Sequence, residues 1–134
     1  MNRNRRDVPA SRWTLGMVGE EMADLVRQLR DLDGQGARAD EELMIARRLE
    51  SLECFAAALP ARVPAEGLVQ VLVLASVRDD VEAIAESAEQ AEGLAPMLRR
   101  MDDCLTSLAR LLAREGEVPP GALPIDWYLG CRAV

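Results

Sequence analysis

An all-α fold is what this sequence predicts: an up-down-up-down antiparallel four-helix bundle with a basic N-terminal arm and a Pro-rich aromatic C-terminal tail. Three observations lead there. Apolar residues recur at alternating intervals of three and four along four successive segments, which is the pattern of a helix with one oily stripe. Connections of a few residues, marked by Gly or Pro, separate the segments and favour antiparallel neighbours. Aromatic residues make up only 3% of a chain that is 49% apolar, so its core has to be built from Leu, Val, Ala and Met. At 134 residues the chain suits one continuous core, with an arm over residues 1–12, the bundle over 13–116 and the tail over 117–134.

The first segment carries Leu15, Val18, Met22, Leu25, Leu29 and Leu32 on one stripe. Its start falls at Ser11 or Thr14, both good N-caps, while Gly16 and Gly19 weaken its first turn by about 1 kcal/mol each relative to Ala. The second segment places Ile45, Leu49, Leu52, Ala56 and Leu59 on its stripe, opened by Asp40 as N-cap and stopped by Pro60. The third begins at Pro64 and assigns Leu74, Val77, Val81, Ile84, Ala88 and Ala91 to the core, ending before Gly93. The fourth assigns Leu94, Leu98, Met101, Leu105, Leu108 and Leu112, with Pro96 in its first turn and Gly116 as its terminator. None of these stripe positions is Asp or Glu, so the seams are expected to be dry and to lack the inward carboxylates of a di-metal bundle.

Two apolar features are left over and supply the candidate partner-binding residues. In "LVQVLVLASV", residues 68–77, Val69, Leu72 and Val73 lie off the assigned stripe and need a cover. The tail "VPPGALPIDWYLGCRAV", residues 118–134, gathers Ile125, Trp127, Tyr128 and Leu129 in an aromatic-poor chain. It either folds back to plug the bundle or docks on a partner as a short motif.

Composition excludes more than it identifies. All 16 basic residues are arginine, and the chain holds neither histidine nor lysine. Histidine-based acid–base, haem, zinc and phosphotransfer chemistry is therefore excluded or disfavoured, as are lysine Schiff bases and P-loops. Cys54, Cys104 and Cys131 are odd in number and widely spaced, which suits reduced thiols, buried or idle, and a cytoplasmic setting better than disulfides. Cys131, in the tail, is the thiol best placed to be modified or to link two chains. The apolar run Val71 to Ala75 is too short to cross a bilayer, and no other run in the chain is long enough.

The formal charge is −7, unevenly spread: Arg3, Arg5, Arg6 and Arg12 against Asp7 give residues 1–12 a charge of +3, and the rest carries −10. An arm of four arginines without interleaved aromatics is a weak nucleic-acid signal. Asp79, Glu82, Glu86 and Glu89 draw an acidic stripe along the third segment, with Glu89 or Glu92 expected to pair with Arg99 or Arg100 across the turn.

"DLDGQGARADEE", residues 31–42, resembles an EF-hand calcium loop over its twelve residues. The resemblance implies Asp31, Asp33, the carbonyls of Gln35 and Ala37, and Glu42 as ligands, with Gly36 at the turn. Arg38 stands where that family places an apolar residue, and no second loop occurs in the chain. The plain alternative, a helix-to-helix turn, explains every letter locally through a glycine stop and an acidic helix start. The leading expectation is thus a non-catalytic interaction protein, an adaptor, regulator or chaperone-like module without cofactor, whose partner is another protein or a second copy of itself. A calcium-responsive helical protein is the alternative, and a nucleic-acid-associated regulator acting through the arm is the third.

Overall fold

The computed structural model describes residues 13–35, 39–86 and 91–130. They form five helices and no strand: α1 (Leu15–Gln35), α2 (Ala39–Ala58), α3 (Pro64–Glu86), α4 (Ala91–Glu115) and a short α5 (Ile125–Leu129). The basic arm lies outside the described residues, as do Ala37, Ala88, Glu89 and Cys131.

Local chemistry sets most of the helix ends. Thr14 caps α1, its Oγ1 accepting the Met17 N–H at 3.2 Å. Asp40 is not the cap of α2; it lies in the first turn with Glu41 and Glu42, where their charges favour the helix N-terminus. Helix α3 opens on Pro64, and Glu66 reaches back to accept the Arg62 N–H at 2.9 Å, as the acidic member of a capping box does. Helix α4 begins five residues ahead of Pro96, which therefore stands inside it rather than at its first turn.

The end of α4 divides two roles that the sequence assigned to Gly116 alone. The left-handed residue is Glu117, at φ 49°, and the Val118 and Glu117 N–H groups close on the carbonyls of Ala113 and Arg114 at 2.9 and 3.1 Å. This is a Schellman ending. Gly116 serves contact instead, because a Cβ there would come within 2.8 Å of the Ala65 backbone nitrogen.

Helix α3 is the hub. It pairs most extensively with α4 and also touches α1, α2 and α5, while α1 packs chiefly on α2. Trp13 and Phe55 meet edge to face with centroids 6.0 Å apart, and Arg48 reaches Glu21 at 2.6 Å, so the α1–α2 contact is tied at its open end and again nearer its middle. The core joins Leu15, Val18, Met22 and Val26 of α1 to Leu49, Leu52 and Ala56 of α2, Leu68 and Leu72 of α3, and Leu105 and Ala109 of α4. Gly19 lets three segments meet, since a Cβ there would lie 2.8 Å from both Leu123 and Val69 side chains.

The expected phase of α3 is overturned. Leu74, Val77, Val81 and Ile84, assigned to the core, are exposed, Ile84 to 72%. Val69, Leu72 and Val73, assigned to a partner, are buried in the core. The physical reason is that the first half of α3 is surrounded by other segments and buries Leu68, Val69, Val71, Leu72, Val73 and Ala75, so no polar position there sets a phase. In α4 the inward line runs through Leu98, Leu105 and Ala109, and Met101 and Leu108, also assigned to the core, face out.

The seams are not dry either. Arg78 of α3 and Asp102 of α4, with side chains only 12% and 14% exposed, meet within the α3–α4 contact. The Arg78 Nε lies 2.8 Å from Asp102 Oδ1, and its NH2 donates to Oδ2 at 2.9 Å. The pair is a close guanidinium–carboxylate contact with one hydrogen bond, from NH2, because the near approach of Nε does not make a second.

Candidate docking surface

Three places could carry function, and each is assembled from elements already described. The first is the seat of the tail. After α4 the chain turns through Gly121 at φ 82° and lays Leu123 and Tyr128 into the core, with Ile125 and Leu129 packed against it. The Tyr128 hydroxyl donates to Glu53 of α2 at 3.0 Å, and the Ser76 hydroxyl donates to the same carboxylate at 2.8 Å. Glu53 thus holds α3 and the tail together. Burial, followed by the neighbouring negative charge of Glu53 and the hydrogen bond to it, raises the Tyr128 pKa well above the usual tyrosine range. At the rim, Arg30 bonds Asp126 at 3.0 Å and lies over the Trp127 ring, 5.7 Å from its centroid. Of the four tail residues proposed for partner binding, Ile125, Tyr128 and Leu129 turn inward and Trp127 alone is exposed.

The second is the charged side of the α3–α4 hairpin. Arg78 binds Asp79 and Glu82 as well as Asp102, and Glu86, Arg99 and Asp103 line the same open groove. Burial alone would lower the Arg78 pKa, but its carboxylate partners more than offset this and raise it. The expected acidic stripe is therefore partly consumed in neutralising one inward arginine. Periodicity could not reveal this, because Arg78 and Asp102 are 24 residues apart.

The third is the opposite side of that hairpin. On α3, Leu74, Val77 and Val81 fall at intervals of three and four. On α4, Met97, Met101, Cys104, Leu108 and Leu111 do the same, and every one of these side chains is exposed. Helical spacing places both rows on the side turned away from the Arg78 groove, running next to each other along the hairpin. No charged residue interrupts either row. Exposed apolar residues are ordinary when scattered, but two adjoining rows are not.

Residues 36–38 of the candidate calcium loop lie outside the described residues, and the stretches on either side of them are helical. Helix α1 continues through Gln35, so Asp31 and Asp33 are helical residues two apart, set roughly 200° from one another around the axis. Their carboxylates diverge, whereas calcium needs them convergent in one loop. Glu42 sits within α2, Ala37 falls outside the described residues, and among the described residues no three His, Cys, Asp or Glu side chains gather for a metal ion. Cys54 and Cys104 are free and exposed rather than buried. No helix among the described residues is long and apolar enough to cross a membrane. No family model matches the chain, and comparison with curated proteins and with solved structures finds no match to it.

Proposed function

We propose that this chain is a non-catalytic protein–protein interaction module whose docking surface is the apolar side of the α3–α4 hairpin. The observation that carries the reading is the pair of adjoining exposed rows, Leu74, Val77 and Val81 beside Met97, Met101, Leu108 and Leu111. The tail supports it from the other direction: Leu123 and Tyr128 cover the core between α1 and α3, leaving the hairpin face as the larger unspent apolar surface. The contacts fit an up-down-up-down order of the four long helices with the tail wedged where α1 and α4 would otherwise meet. The free, exposed Cys54 and Cys104 support a reducing, cytoplasmic setting.

A photo-crosslinking residue at Val81 or Leu108, compared with one at the exposed Glu50 of α2, tests the surface directly in cells. Covalent protein adducts at the two hairpin positions and none at residue 50 are expected. Equal yields at all three sites, or no adducts at any, would remove the reading.

A further inference from the structure

We infer that the occupant of the hairpin face is a second copy of this chain, bound so that α3 of one copy lies over α4 of the other; this rests on the docking surface proposed above. The first argument is shape and repeat. Each helix of the hairpin offers one apolar row at intervals of three and four, so a hairpin presents half of a four-helix bundle. A single partner helix would settle in the groove between the rows and leave their outer flanks wet. A second identical hairpin supplies two rows to meet two rows, the self-complementary arrangement of a two-fold interface.

Size agrees. At roughly 150–200 Å² for a fully exposed residue of this kind, the exposed fractions of Leu74, Val77, Val81, Met97, Met101, Leu108 and Leu111 amount to about 500–650 Å² per copy. Two such faces together come to about 1,000–1,300 Å², around the lower bound of a specific interface before any polar rim is added.

Charge selects both the face and the direction. The other side of the hairpin carries Asp79, Glu82, Glu86, Asp102 and Asp103 against Arg78 and Arg99, an excess of negative charge that would make two copies repel there. The Arg78–Asp102 pair fixes the internal register and brings residue 80 level with residue 100. Asp80 and Arg100 are both exposed, on the outer rims of α3 and α4 respectively. A dyad running along the hairpin sets Asp80 of each copy beside Arg100 of the other, making two opposite-charge pairs at the edges of a charge-free centre. Residues 1–12, with four arginines and two asparagines, have too few apolar side chains to cover the face instead.

The test uses the full chain in analytical ultracentrifugation from 1 to about 200 µM. Twice the 14.7 kDa chain mass is expected within that range, falling to the single mass in a Val81→Glu, Met101→Glu double variant whose helical circular dichroism is unchanged. Asp80→Arg should weaken the dimer at least several-fold, and adding Arg100→Asp should restore it. A parent chain that stays monomeric throughout overturns the inference, as does a dimer that survives the double variant or a charge swap that fails to restore. The two levels separate cleanly: monomers that still yield crosslinks from Val81 to a different protein sink the second copy alone, and monomers without any crosslink sink the docking surface too.

Discussion

Gly19 and Glu117 show how far a single residue's role depends on what lies across from it. On propensity alone, Gly19→Ala should strengthen α1 by about 1 kcal/mol. The Leu123 and Val69 side chains stand 2.8 Å from where its Cβ would be, so the added methyl overpacks the junction of α1, α3 and the tail. We expect net destabilisation of about 1–3 kcal/mol in urea denaturation. Glu117 is the opposite case, an L-residue held at φ 49° where glycine is at ease. Glu117→Gly should raise stability by up to about 1 kcal/mol in the same assay, since the strain it relieves exceeds the chain entropy it adds. Tyr128, the only tyrosine, offers a spectroscopic reading. Its native pKa is raised, so its contribution to stability is complete below the unfolded value of about 10 and declines as pH rises beyond that. Tyrosinate absorbance should therefore appear together with unfolding and not before it, and Tyr128→Phe should flatten the alkaline fall in stability.

Helix by helix, what could be read from the sequence depended on whether polar residues marked a phase. In α1, Leu15, Val18, Met22 and Leu25 alternate with Glu20, Glu21, Asp24 and Arg27, and those apolar residues are buried as their spacing predicts. In α3 the run from Leu68 to Ala75 is apolar on nearly every side, so the phase expected from Leu74, Val77, Val81 and Ile84 rests on the end of that run and on the part of the helix beyond it, which packs beside α4 and the tail. The inward Arg78 was missed for a related reason: its partner Asp102 sits on another helix, and nothing local distinguishes either from a surface charge. Removing Asp102 leaves the nearly buried Arg78 still bound to Asp79 and Glu82, so Asp102→Ala should cost about 1–3 kcal/mol, less than a buried charge left alone. Replacing both, Arg78→Met with Asp102→Leu, should come within about 1 kcal/mol of the parent or exceed it, because the desolvation of two charges is then avoided. Chemical denaturation of Arg78→Met, Asp102→Leu and the double variant closes that cycle.

At the scale of the whole molecule, the tail and the hairpin face exchange the roles that the sequence suggested for them. An aromatic cluster and three off-stripe residues looked like the means of holding a partner, but Tyr128, Val69, Leu72 and Val73 are spent inside. Long-range topology decides this: Leu123 reaches Gly19 across more than a hundred residues, and Tyr128 reaches Glu53 across 75. No local pattern contains that information. The same folding leaves exposed, on α3, residues whose spacing had marked them as core. That spacing is still informative, because it identifies a helix face suited to another helix, which under the proposed function a different molecule would supply.

The central claim is that α3 has one face spent on its own core and another kept for association. A matched pair of substitutions, Leu72→Asp and Val81→Asp, tests it most directly when thermal melts are recorded at high dilution. Leu72 is fully buried, so its replacement should abolish cooperative folding. Val81→Asp should melt within about 0.5 kcal/mol of the parent under these conditions, as a surface change does. A Val81→Asp chain that unfolds as readily as Leu72→Asp, or a Leu72→Asp chain that melts like the parent, would contradict the account.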